Sequence, residues 1–320
     1  MKILMIGRGA VGSVYGWALE KAGHRVEFYV RPGRAATYGP TLTLELLDTR
    51  TRVLGVRVRE TLPMHYVEEL SAAHDYDLIM VSVQHFRFAE VVDFLTGRVG
   101  KATVLLFSNL WTDPQAAVAA LPADQLVWGF PRAGGSFGTD GVLRGALLKN
   151  VIFGEFALSS KADLTPRERE LQALFRGSGF GIQTQRDFRG WLWTHFITNA
   201  ALLPQALKAG SFAAMMGSDA HLREAVLRVR ELLPVLAARG VDLSLHSADL
   251  SLFKLSPGLA ALVLRLAFTL IVPVRWAIQY AIHGDDLARE VGFTSRDVLL
   301  EARQRGIAVP RLEAFAAQLP

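Results

Sequence analysis

The chain has 320 residues, 51% of them hydrophobic, with 35 Lys and Arg against 30 Asp and Glu and a net charge of +5; this length supports about two domains with substantial cores. The absence of cysteine excludes disulfides, thiolate metal sites and a cysteine nucleophile. The basic residues are scattered rather than gathered in a stripe with aromatics, which argues against nucleic acid and leaves a modest positive field suited to anionic small molecules.

Lys2 to Ile6 read as a buried parallel strand, and Val11 to Ala22 place Val11, Ala18, Leu19 and Ala22 along one side of a helix. Between them stand Gly7, Arg8, Gly9, Ala10, Val11 and Gly12, a GxGxxG set at a strand-to-helix turn. Such a turn holds a dinucleotide: the first glycine allows the tight bend, the second lets a pyrophosphate approach the backbone, and the third lets helix pack on strand. Amides at the helix start complete the phosphate site. Gly23 ends the helix, and His24 to Val30 form a second strand, closing a unit of the length expected for this motif.

The tip of that second strand selects the coenzyme. An acid there accepts hydrogen bonds from a free ribose hydroxyl, whereas a guanidinium pairs with a 2′-phosphate. The tip carries Arg31, followed by Arg34, while Glu27 lies inside the strand. NADP(H) is therefore expected over NAD(H).

Further along, Thr41 to Glu45 and Val53 to Arg59 alternate like short antiparallel strands. Asp77 to Val83 and Thr103 to Phe107 are apolar runs typical of buried parallel strands. The second run ends at Ser108 and Asn109, where parallel-sheet enzymes mount ligand-contacting residues. Val127 to Phe130, Val142 to Leu148 and Val151 to Glu155 read as further strands, with a glycine-rich turn at Gly134 to Gly138. A helix at Thr165 to Phe175 and a strand at Gly181 to Thr184 close a first domain spanning residues 1–187. From Phe188 the pattern is helical, with helices at Trp191 to Lys208, Ser218 to Arg239, Leu259 to His283 and Thr294 to Arg305; Gly306 and Pro310 end the last. Residues 188–320 are thus expected to form an all-helical second domain.

The segment from Leu259 is apolar, but Arg265, Pro273 and Arg275 interrupt it, so a buried or subunit-interface helix is expected rather than a membrane span. Met1 leads straight into the first strand without the regions of an export signal, and cytoplasmic residence is expected. His85, His246 and His283 lack metal-ligand spacing, and no GxSxG nucleophile motif occurs.

The stretch MKILMIGRGAVGSVYGWALEKAGHRVEFYVR resembles the N-terminus of the ketopantoate reductase (2-dehydropantoate 2-reductase) family, and the resemblance extends over nearly the whole chain. It implies an α/β Rossmann domain followed by a helical domain like that of 6-phosphogluconate dehydrogenase, with the active site in the cleft between them, and NADPH-dependent reduction of a branched 2-oxo acid. It also implies contact of Arg31 with the 2′-phosphate. Asn109 in FSNLW takes the place of the family's QNG asparagine at nicotinamide and substrate. Asn199 in FITNAALLP and Glu290, sixteen residues before Gly306, match the family's substrate-contacting asparagine and its glutamate. Other positions depart: the catalytic lysine falls on His195, a second lysine of the coenzyme edge falls on Gln84, and two polar substrate holders fall on Leu203 and Ile278. Leu110 and Trp111 stand where the family has glycines.

Hydride delivery to a ketone builds negative charge on its oxygen, which needs a proton donor or cation within about 3 Å. Histidine can serve, being protonatable near neutral pH. His195 is the expected general acid, Asn109 and Asn199 the positioners, and Glu290 the carboxylate that orients the imidazole. With Leu203 and Ile278 in place of polar holders, the expected substrate is a bulkier, more apolar ketone than ketopantoate, or one anchored elsewhere by an arginine. The alternative is a catalytically lapsed NADP(H) sensor or interaction protein. A homodimer formed through the Leu259 to Ile282 segment is compatible with both.

Overall fold

The computed structural model describes residues 1–156 and 164–318. The strands are β1 (Lys2–Ile6), β2 (Arg25–Tyr29), β3 (Thr41–Asp48), β4 (Val56–Pro63), β5 (Tyr66–Val67), β6 (Leu78–Val81), β7 (Thr103–Phe107), β8 (Leu126–Phe130), β9 (Ala133–Phe137), β10 (Leu143–Leu147), β11 (Asn150–Gly154) and β12 (Gly181–Gln185). The helices are α1 (Ala10–Lys21), α2 (Ala35–Tyr38), α3 (Phe88–Leu95), α4 (Pro114–Ala117), α5 (Pro166–Gly177), α6 (Phe188–Ala209), α7 (Phe212–Met216), α8 (Asp219–Ala238), α9 (Ser251–Lys254), α10 (Pro257–Leu270), α11 (Val272–Gln279), α12 (Gly284–Gln304) and α13 (Pro310–Ala316). The chain divides into two compact units, one of residues 1–108 and 112–186, the other of residues 109–111 and 187–320.

In the first unit the described strands form an eight-stranded sheet ordered β12-β11-β8-β7-β6-β1-β2-β5. All its pairings are parallel except β8 with β11. Its central strands are apolar throughout, as a sheet covered on both faces requires. The chain runs from β1 outward to β2 and later returns to place β6 on the other flank of β1. The C-terminal ends of β1 and β6 therefore frame the crevice where such sheets bind ligands. This is an α/β fold of Rossmann type.

A second sheet, β4-β3-β10-β9, adds its leucines Leu42, Leu44 and Leu46 to the core that also holds Ile3, Met5 and Val14. Each such buried side chain contributes about 1.5–3 kcal/mol. Here the expected turn at Gly134 to Gly138 is corrected: most of it is strand β9, paired antiparallel with β10. The glycines serve close approach instead. A Cβ on Gly145 would lie 2.1 Å from the Gly134 carbonyl oxygen, and one on Gly135 would lie 2.4 Å from that of Arg144.

The described elements of the second unit are all helices. α6 is wrapped by α8 and α12, and its buried Trp193, Phe196 and Ile197 join Val229, Leu232 and Val298 in one cluster. Two helix expectations need correction. The single helix expected over Leu259 to His283 is two, α10 and α11, bent by 95°. Ile271 leaves the helical region at φ −96°, ψ 102° and Pro273 opens the next helix, because proline lacks the amide needed to continue the first. The helix expected from Thr294 begins at Gly284, with Asp285 and Asp286 in its first turn, where acids complement the helix dipole.

Among the described residues no single helix is long and apolar enough to cross a membrane. Nor is α10 fully buried. Ala260 and Ala261 pack inward, while Leu259, Leu262, Val263, Leu266 and Leu270 are exposed along its length.

Candidate functional site

At the turn between β1 and α1, Gly7 adopts φ +108°, and a Cβ there would lie 2.4 Å from the Ser82 carbonyl oxygen beyond β6. A Cβ on Gly12 would lie 2.3 Å from the Gly7 carbonyl oxygen. Neither position has room for a side chain. Gly9 differs: it caps α1, and a Cβ on it would meet nothing within 4 Å. α1 has no side-chain cap and no acid in its first turn. Its leading amides are thus open to an anion approaching over Gly9, and the residues present fit a dinucleotide's paired phosphates.

Arg8 is drawn from this turn across the sheet edge. Its Nε donates to Tyr66 Oη at 3.2 Å, and its guanidinium lies 4.7 Å from the Tyr38 ring centroid and 4.9 Å from that of Phe137. The guanidinium of Arg34 lies 5.3 Å from the same Tyr38 ring. Arg31 and Arg34 are exposed at the end of β2, in a turn closed by the Arg34 amide donating to the Arg31 carbonyl at 3.0 Å.

Glu27 is buried, bonded to Arg25 and to the Tyr76 hydroxyl. Burial pushes its pKa upward, but the hydrogen bonds from Tyr76 and Arg25 outweigh this and leave it below the ordinary carboxylate range. Its carboxylate is engaged within the fold, away from the strand tip. Gln84 stands just after β6, half-buried, at the start of the short turn of helix His85–Arg87.

Two polar candidates of the second unit, His195 and Asn199, lie on α6. Asp187 caps it from a left-handed conformation (φ 47°), with its carboxylate accepting from the Gly190 amide at 3.3 Å and from His246 Nε2 at 2.9 Å. A Cβ on Gly190 would lie 2.2 Å from Asp187 Oδ2, so this cap requires glycine there. Most of α6 is buried, but His195, Thr198, Asn199 and Leu202 are half-exposed and fall on one stripe at helical spacing. The His195 ring stacks on Trp191 at 5.4 Å and 17°, and Trp191 stacks on Phe188 at 5.9 Å and 11°.

Residues 109–111 belong to this unit. Trp111 stacks on Phe196 at 5.2 Å and meets Trp193 edge-on at 6.5 Å. That contact fixes Trp111 against α6, and Asn109 lies two residues before it in the same segment. Asn109 Oδ1 is buried without a hydrogen-bond partner, an acceptor in need of an N–H or O–H donor. Glu290 lies half-buried on α12, which packs on α6, and its backbone carbonyl accepts from Thr294 Oγ1 at 2.7 Å.

The two departures from polar to apolar face inward: Leu203 belongs to a cluster with Met215, Leu222 and Leu287, and Ile278 packs against it. The fold thus gathers Asn109, His195, Asn199 and Glu290 in one unit and Gly7 to Gly12, Arg31, Arg34 and Gln84 in the other. Sequence reasoning missed Tyr38, which lies against Arg8 and Arg34 from α2, and Tyr66 and Glu68, which the pairing of β5 beside β2 brings to this edge. Among the described residues no group of His, Asp and Glu is arranged to hold a metal.

Comparison with known proteins agrees with this geometry. Solved structures similar over the full length include 2-dehydropantoate 2-reductase from Geobacter metallireducens GS-15 (20% identity, TM-score 0.69, covering 100% of this chain and 99% of that one). A dimeric ketopantoate reductase from Staphylococcus aureus is similar too (15%, 0.64, covering 100% and 97%). So is D-mandelate dehydrogenase in a ternary structure with NADH and anilino(oxo)acetate (15%, 0.67, covering 99% and 96%). A search of curated proteins finds no match. Residues 3–157 match the family model described as ketopantoate reductase PanE/ApbA.

Proposed function

We propose that the protein is an NADPH-dependent reductase that delivers hydride to the ketone of a 2-oxo acid or related carbonyl compound more apolar than ketopantoate. The observation that carries the reading is the contrast within the glycine turn: Gly7 and Gly12 are closed by backbone, while Gly9 and the leading amides of α1 are open. Arg31 and Arg34 hold the 2′-phosphate, and Gln84 lies on the same sheet edge. When bound, the nicotinamide supplies the hydride.

His195 gives its proton to the carbonyl oxygen as the carbon is reduced, so that C=O becomes CH–OH. Asn109 and Asn199 position the substrate through their carboxamides, and Glu290 orients the imidazole. The unpartnered Oδ1 of Asn109 supports that role. The same fold in a dehydrogenase solved with anilino(oxo)acetate supports an alkyl- or aryl-substituted 2-oxo acid.

The exposed apolar stripe of α10 supports a homodimer, and one structural neighbour is dimeric. A second reading, an NADP(H) sensor without turnover, draws on the stacking of His195 against Trp191, which covers one face of the ring. Oxidation of NADPH followed over a panel of 2-oxo acids separates the two: the reductase consumes coenzyme, and the sensor binds it without consuming it.

A further inference from the structure

Glu68 follows β5, whose Tyr66 and Val67 pair with Phe28 and Tyr29 of β2. The register sets Glu68 alongside Val30, next to Arg31, at the sheet edge where the adenosine ribose of a dinucleotide lies. There it does not act as a counterion. Among the described residues neither Arg31 nor Arg34 pairs with it; Arg34 instead lies against Tyr38. The carboxylate accepts from the Ala35 amide at 2.9 Å, at the start of α2. The carboxylate thus ties the start of α2, one residue beyond Arg34, to the end of β5. Backbone hydrogen bonding, that of the Ala35 amide foremost, holds the acid below the ordinary carboxylate range, so it is ionised at neutral pH.

We propose that Glu68 is a specificity-determining residue for the coenzyme: its carboxylate, fixed by the Ala35 amide, opposes the 2′-phosphate that Arg31 and Arg34 attract. The two guanidiniums contribute two positive charges and Glu68 removes one. A phosphomonoester carrying about −1.5 to −2 charges therefore meets a weaker field, and the Ala35 amide already engaged. NADH, with only ribose hydroxyls at this point, loses nothing to Glu68 and gains an acceptor. The protein is thereby kept accessible to both coenzymes, with selectivity set by a difference of affinities. This rests on the reading of the Gly7 to Gly12 turn as the coenzyme site.

The test is direct binding, by calorimetry or reduced-nicotinamide fluorescence, of NADPH and NADH to the unmodified protein, Glu68→Gln and Glu68→Ala. The fragments 2′,5′-ADP and 5′-AMP serve as probes that need no turnover. Glutamine keeps an oxygen for the Ala35 amide while removing the charge, so it separates charge from support of the turn. The expected result for Glu68→Gln is roughly three- to tenfold tighter binding of NADPH and 2′,5′-ADP, with NADH and 5′-AMP changed less than about twofold. Weaker NADPH binding in Glu68→Gln, or an equal shift for both coenzymes, overturns the proposal while leaving the coenzyme site intact. Failure of the unmodified protein to bind either coenzyme removes both.

Discussion

The imidazole of His195 lies nearly parallel to the indole of Trp191 one helical turn before it, with ring centroids 5.4 Å apart and an interplanar angle of 17°. Trp191 is itself fixed by Phe188, at the end of α6 that Asp187 caps. The ring is thus held by an aromatic ladder rather than left to swing, and preorganisation of this kind is what a proton donor requires. Replacing His195 by Ala is expected to lower kcat by about 10²- to 10⁴-fold without changing the dissociation constant of the coenzyme. Trp191→Ala is expected to lower kcat by about tenfold, with Trp191→Phe largely restoring it. Steady-state kinetics together with coenzyme titration checks both.

The glycine turn gives a sharper contrast. Gly9→Ala places its methyl in open space, so stability should change by less than about 1 kcal/mol, while affinity for reduced coenzyme falls at least tenfold because the phosphates approach there. Gly12→Ala drives a methyl to 2.3 Å from the Gly7 carbonyl oxygen. The expected cost is about 1–3 kcal/mol, visible as a lowered urea midpoint. Equal loss of stability in the two variants would contradict this division of roles.

In the helical unit, Arg239 lies between Trp111 and Trp193, its guanidinium 4.1 and 3.9 Å from their ring centroids. It also donates to Glu301 at 2.8 Å and to the Trp111 carbonyl at 2.7 Å. Lysine cannot reproduce a planar group that stacks and forks at once. Arg239→Lys should therefore destabilise the protein, and Arg239→Ala should cost about 2–4 kcal/mol by leaving Glu301 half-buried with a missing partner. Because Asn109 lies two residues before Trp111 in the same segment, kcat is expected to fall with stability in both variants, as parallel denaturation and rate measurements would reveal.

The parts legible in the sequence were those in which local pattern and tertiary role coincide. β1, α1 and β2 follow from an apolar strand, a glycine turn and a helix of the right length, and the alternation after Thr41 gives the β3–β4 ladder. Misreadings arose where one residue type serves two purposes. The glycines of Gly134 to Gly138 suggest a turn by conformational freedom, yet Gly135 and Gly145 are needed because two backbones approach closely within a sheet. Apolar periodicity runs on through Pro273 although the helix does not. The placing of Tyr66 and Glu68 at the arginine-bearing sheet edge lay beyond sequence reading for another reason: Glu68 meets Ala35 across 33 positions, and only β5 lying beside β2 makes the contact.

The exposed face of α10 yields a separate expectation. Leu266 and Leu270, 46% and 71% exposed, lie on a stripe that a second copy of the chain would cover. Leu266→Glu is expected to convert a dimer to a monomer in sedimentation at micromolar concentration, with coenzyme binding unchanged, because a charge at the centre of an apolar interface is left without a partner.

The central claim is that this chain reduces a 2-oxo acid with His195 as proton donor, and one measurement bears on it most directly: consumption of NADPH in the presence of alkyl- and aryl-substituted 2-oxo acids, with ketopantoate in the same panel and His195→Ala alongside. Turnover of at least one apolar 2-oxo acid is expected at a higher kcat/KM than for ketopantoate, reduced by at least a hundredfold in the variant. Binding of NADPH with no turnover of any 2-oxo acid, or turnover untouched by loss of His195, would contradict it.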